Sequence, residues 1–167
     1  RQFGEALAND PSRPIAVAGL AAVHLARGET SPALSSFRAA AALVPSEAWP
    51  LAGLGSAHLQ AGDFAAAAES LRRALGMRPE WGAVRARLAY ALFCQGAASA
   101  ALDNARTAAR YGDSAVAPLV QAAALLKLGD APAALQALGP SAGLEALASA
   151  GYAAPALRLT SLMAGVT

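Results

Sequence analysis

Charge is scarce in this chain of 167 residues: Asp, Glu, Lys and Arg fill 14% of positions, and Lys127 is the one lysine beside twelve arginines. The formal net charge of +2 is too small to draw in a nucleic-acid partner by itself. A single cysteine, Cys94, excludes an intramolecular disulfide framework. The two histidines have no Cys or carboxylate beside them at the i+3 or i+4 helix spacing that a metal site would use. Aromatic residues make up 5%, and Val and Ile, the strand formers, are sparse. No run of about 18 apolar residues exists. The longest candidate, Ile15 to Ala26, is interrupted by Gly19 and His24. Membrane insertion is therefore not expected, although mean hydropathy is positive at +0.38.

What fills the chain instead is alanine, the best helix former. With arginine, glycine and proline it points to a GC-rich coding sequence. The chain has no initiator methionine and no charged-then-apolar leader. It reads as a fragment of a larger protein, so cytoplasm and periplasm are not separated.

The order in the sequence is a repeat. Pro11, Pro45 and Pro79 stand 34 residues apart, as do Gly28, Gly62 and Gly96, and Leu20, Leu54 and Leu88. Small residues keep the same step: Ala21, Gly55 and Ala89; Ala33, Ala67 and Ala101; Ala40, Ala74 and Ala108. Bulk alternates with them in register at Phe3, Phe37 and Leu71, with Ala105 as the fourth member. Such a chain is a stack of identical supersecondary units. Each glycine supplies a left-handed helix end without steric penalty. Ser31 and Asp63 are expected to cap the helices that follow, with Pro32 in the first turn. Pro45 and Pro79 are expected to end those helices.

The stretch Leu51-x-x-Leu54-Gly55-x-x-His58, then Gly62-Asp63-Phe64, Ala67, Leu71, Ala74-Leu75 and Pro79, resembles a tetratricopeptide repeat (TPR). Leucine and histidine stand where that family favours tryptophan and tyrosine. The resemblance covers residues 1–138 and implies an all-α, right-handed superhelical solenoid of antiparallel helix hairpins. Residues 1–13 are the expected tail of a truncated preceding repeat. Units follow at 14–47, 48–81 and 82–115, a degenerate one at 116–140, and a shortened helical hairpin or cap at 141–167. In the fourth unit Gly129 falls 33 residues after Gly96, and Asp113 replaces the expected proline.

The resemblance also implies a concave wall lined by first helices. Its slots in this chain include Ile15, Trp49, Leu59, Gln60, Arg87, Tyr90, Phe93 and Leu126, with the aromatic side chains as anchors for a partner. A two-carboxylate clamp is not expected, because Ala18, Ala22, Gly53 and Ala83 hold its slots and Arg87 alone matches. The wall instead suits an apolar peptide or an amphipathic helix of a partner protein. The related RNA-reading array is a poorer match, since Ala18, Ala52 and Ala86 offer no polar group to a base. Residues 72–110 carry seven arginines against Glu80 and Asp103, mostly on second helices, and read as a solvated face.

His24 and His58 share one slot and are expected to be interhelical packing residues. Cys94 reads as an inert thiol. No nucleophile elbow or phosphate-cradling loop is present, and no catalytic residue, cofactor or metal is expected. The leading expectation is thus a non-catalytic protein–protein interaction module. Two alternatives stand beside it. One is a targeting or regulatory arm of a larger enzyme, as in bacterial proteins similar to glycosyltransferases. The other is a structural scaffold that self-associates through the ends of its array.

The small-residue register has a direct consequence. Ala67→Leu is expected to overfill a hairpin and lower stability by about 1–3 kcal/mol, and a thermal melt of the variant at the wild-type temperature would refute the register.

Overall fold

A computed structural model describes residues 14–113 and 115–138. The expected repeat tail at 1–13 and the expected cap at 141–167 lie outside the described residues, as does Phe3. The described chain forms α-helices α1 (Pro14–Ala26), α2 (Thr30–Leu43), α3 (Ala48–Ala61), α4 (Phe64–Met77), α5 (Gly82–Cys94), α6 (Ala98–Arg110), α7 (Ala117–Lys127) and α8 (Ala131–Leu138). They fall into two compact units that divide between Pro79 and Glu80.

In the first unit α1 packs on α2 and α3 on α4, while α3 also rests on both α1 and α2. The second unit repeats the scheme: α5 packs on α6 and α7 on α8, and α7 rests on both α5 and α6. Each later first helix therefore touches its own partner and the hairpin before it. Short connections make neighbouring helices antiparallel.

The turns have one construction. Gly28, Gly62, Gly96, Gly112 and Gly129 adopt φ between 77° and 87°. At Gly62 the backbone N–H donates to Leu59 O at 3.1 Å, and the next N–H, of Asp63, reaches back to His58 O at 3.0 Å. The same pair of bonds closes the other four turns. This double closure satisfies carbonyls that a helix end otherwise leaves without donors.

After the glycine, an aspartate starts the next element in three of the turns. Asp63 Oδ1 accepts from Ala66 N–H at 3.1 Å, and Asp130 Oδ1 from Ala133 N–H at 3.1 Å. Asp113 accepts from both Val116 N–H and Ala117 N–H at 2.9 Å. The position where proline was expected thus holds a Gly-Asp turn that ends α6 and caps α7.

One capping expectation is corrected. Ser31 does not cap α2, which begins one residue earlier at Thr30 with Glu29 at the cap position and no side-chain bond there. The reason is register: Glu29 stands 34 residues before Asp63, and its N–H closes the glycine turn on His24 O at 2.9 Å. Pro45 and Pro79 do follow helix ends. Val44 and Arg78, just before them, have φ near −132° and −137°, outside the helical region as a following proline requires.

Packing depends on small residues at the contacts. Ala21, Ala33, Ala40, Ala67, Ala74, Ala89, Ala101, Ala105 and Ala108 are fully buried, and Phe37 and Leu71 fill the spaces between them. A Cβ on Gly55 would lie 2.5 Å from Leu71 Cγ, and one on Gly53 would lie 2.3 Å from the Phe37 ring. At Gly82 the obstacle is the Tyr111 carbonyl oxygen, 2.7 Å away, which no rotamer change relieves.

Glycines of different duty should respond oppositely to alanine. Gly76 lies exposed inside α4 with nothing near its Cβ position, so Gly76→Ala should raise stability by about 0.5–1 kcal/mol. Gly62 is equally unobstructed but left-handed, so Gly62→Ala should lower stability by about 1–2 kcal/mol. Urea midpoints that move in the same direction for both variants would contradict these backbone conformations.

Candidate functional site

The residues expected to meet a partner divide between the two units. Ile15, Trp49, Leu59 and Gln60 belong to the first, on α1 and α3. Arg87, Tyr90, Phe93 and Leu126 belong to the second, on α5 and α7.

In the first unit the outer side of α1 and α3 is apolar and open. Ile15 is 76% exposed; Ala22 is exposed, and Ala18, Gly19, Leu25, Trp49 and Leu59 are half-buried. Neither helix contains Asp, Glu, Lys or Arg. Their hydrogen-bonding side chains are largely turned to internal tasks. Ser56 Oγ donates to Ala52 O at 3.0 Å, one turn back. Gln60 Nε2 donates to Leu25 O at 3.0 Å.

The histidines behave differently from the packing role expected of them. Each closes its own hairpin turn by facing the acid at the start of the next helix. His24 Nδ1 contacts Glu29 Oε2, and His58 Nδ1 lies 3.7 Å from Asp63 Oδ2. The short reach across the glycine turn places these groups together, because the acid follows the histidine by five residues in both hairpins.

In the second unit the anchors change character. Tyr90 and Phe93 are only 7% and 9% exposed, so these expected contact residues have little surface left for a partner. Ala86, Leu119 and Ala123 are buried with them, while Arg87, Cys94 and Leu126 are half-buried and Lys127 is exposed. The Lys127 ammonium lies 5.5 Å from the Phe93 ring centroid. Arg85 sits 5.8 Å from the ring centroid of Tyr111, just beyond the end of α6.

Two of these contacts are one device in different chemistry. Leu25 and Phe93 occupy one repeat slot, two periods apart, and Gln60 and Lys127 end the next first helix in each unit. In the first unit an amide ties α3 to a terminal carbonyl of α1; in the second an ammonium ties α7 to a ring of α5. Sequence reading placed Gln60 on a ligand-facing wall and missed this role. The signal was available in the register, since Gln60 falls 35 residues after Leu25 and Lys127 falls 34 after Phe93. Gly53 is likewise turned to packing, against Phe37.

Among the described residues, no group of three or more His, Cys, Asp or Glu side chains is placed to hold a metal ion, and no helix is long and apolar enough to cross a membrane.

No protein-family model and no curated protein matches the chain by sequence. Solved structures do match by fold. MamA superposes with a TM-score of 0.73 at 18% identity, covering 89% of this chain and 86% of its own. TTC0263, a thermophilic TPR protein of Thermus thermophilus, gives 0.73 at 21% identity, with 96% and 87% covered. YrrB, described as a TPR protein with an unusual peptide-binding site, gives 0.72 at 18% identity, with 97% and 90% covered. The fold is that of a TPR protein. Its TPR hairpins keep the small-residue contacts and glycine turns described above, while identities at this level leave the residues on the open faces peculiar to this chain.

The tie between successive TPR hairpins is testable apart from any ligand. Gln60→Ala should lower stability by about 0.5–1.5 kcal/mol through loss of its bond to Leu25 O. Lys127→Met, which keeps an apolar stem, should lower it by about 0.5–1 kcal/mol. Chemical denaturation of both variants checks this, and unchanged midpoints would mean that the ties contribute nothing.

Proposed function

We propose that the chain is a protein-interaction module that holds an apolar peptide, or the apolar side of a partner's helix, on the first-helix face of its first unit. The observation that carries this reading is the contrast between helices of one unit. α1 and α3 have no Asp, Glu, Lys or Arg, yet Ile15 and Ala22 are exposed and Trp49 and Leu59 are half-covered. The second helices carry the charge, with Arg38 on α2 and Glu69, Arg72 and Arg73 on α4, on their outer sides. A helix apolar on every side is normally covered on every side. A contiguous apolar surface left open marks a place where another molecule lies.

The chemistry of the face then selects the partner. Gln60 donates to Leu25 O, Ser56 donates within its own helix, and the histidines face acids across their turns. Ile15, Trp49 and Leu59 are the groups that a partner meets, over a floor of Ala18, Gly19 and Ala22. Small residues let a peptide backbone or helix approach closely, and Trp49 supplies a large area at small entropic penalty. The peptide-binding site named for YrrB, which has the same fold, supports this reading.

The test is selection of a displayed random peptide library on the full chain, followed by affinity measurements on the enriched sequences. Apolar or amphipathic sequences should be enriched. Ala22→Glu places a charge on the open face without touching the core, and should weaken their binding by roughly tenfold or more, about 1.4 kcal/mol. Enriched peptides that bind the folded Ala22→Glu variant as tightly as wild type would move recognition elsewhere, and the absence of enrichment would refute peptide binding by this face.

A further inference from the structure

We propose that the first-helix face of the second unit takes an acidic stretch of a partner polypeptide, attracted by Arg87 and Lys127. This deepens the reading above, because it rests on first-helix faces being where a partner lies.

The argument is the distribution of charge by element. α5 carries Arg85 and Arg87 and no acid, and the one charge on α7 is Lys127. The described acids of this unit lie elsewhere. Glu80 precedes α5, and Asp103 is exposed on the second helix α6. Asp113 and Asp130 accept backbone N–H groups at helix starts. Arg85 is directed to Tyr111 beyond the end of α6, which leaves Arg87 and Lys127 as the cations of the first-helix face. α5 and α7 pack on each other, and the ring of Phe93 on α5 holds the Lys127 ammonium toward that helix.

A pair of helices that carries cations and no acid favours an acidic chain over a neutral one. The first unit differs, with no Asp, Glu, Lys or Arg on its first helices. The occupant is a polypeptide rather than a nucleic acid for two reasons. Two cations neutralise few phosphates, and Tyr90 and Phe93 are buried, so these rings offer no platform to unstacked bases.

The experiment uses the full chain and two fluorescein-labelled helical peptides, one of leucine and glutamate and one with glutamine for every glutamate. Anisotropy at low salt should show the glutamate peptide bound tighter by on the order of tenfold, an advantage that shrinks as salt rises. Arg87→Gln/Lys127→Gln should abolish the advantage, while Arg106→Gln/Arg110→Gln on α6 should leave it intact. If circular dichroism shows that the first pair disturbs folding, Arg87→Lys/Lys127→Arg keeps the charges and must keep the preference.

Equal binding of the two peptides, or a preference that survives in the folded Arg87→Gln/Lys127→Gln variant, overturns the proposal. So does displacement of the glutamate peptide by a single-stranded oligodeoxynucleotide at lower concentration than by unlabelled peptide. Equal binding that Ala22→Glu still weakens removes the acidic preference alone and leaves peptide recognition standing. Binding of neither peptide overturns the acidic reading, and the library selection then decides the broader one.

Discussion

A glycine that turns left-handed and closes two backbone hydrogen bonds on the helix behind it is the constraint on which the rest of this structure depends. At each such turn the chain reverses within a few residues, so the two helices of a hairpin must run side by side at short range. Side chains then have little room at the crossing. Alanine or glycine at the contact is what the geometry permits, and Gly55 against Leu71 shows how closely the elements approach. Once a turn fixes which residue leads the second helix, it also fixes which residues face inward. A repeated glycine therefore repeats an entire pattern of burial.

The same turn distributes polar chemistry. A helix that ends at a glycine leaves the next N–H groups pointing at whatever follows, and aspartate there satisfies one or two of them. Where the repeat supplies histidine five residues earlier, the two meet across the turn, as in the first unit. The final residues of first helices reach back to the preceding hairpin, by an amide in one unit and an ammonium over a ring in the other. These contacts draw polar groups away from the open sides of the helices. What remains on those sides differs between units: apolar in the first, and cationic on a largely closed surface in the second. Function in a TPR array rests on such residues, because the fold itself is shared by proteins of many kinds.

The helical repeat was legible because identical units must solve one packing problem several times, and each solution leaves the same residue type at the same step. Pro45 and Pro79, the glycine turns and the buried alanines all carry that signature. Asp113 departs from it, yet its turn is built all the same, because Gly112 and an aspartate side chain can replace proline in ending one helix and starting another. The capping of α2 was less legible: Ser31 has the right chemistry, but Glu29 has the right distance from the glycine, and distance prevailed.

Sequence by itself determined the hairpins, their period, the small residues at their contacts and the absence of Asp, Glu, Lys and Arg from α1 and α3, because these are local or strictly periodic properties. Only the tertiary structure decided how much of each first helix remains open. Tyr90 and Phe93 share the wall of Trp49 by register, but neighbouring elements within their unit cover them, and no periodicity reports that cover. Gln60 and Lys127 were likewise assigned only when a second helix arrived beside them. A side chain's task depends on which surface it meets first, and that surface comes from another part of the chain.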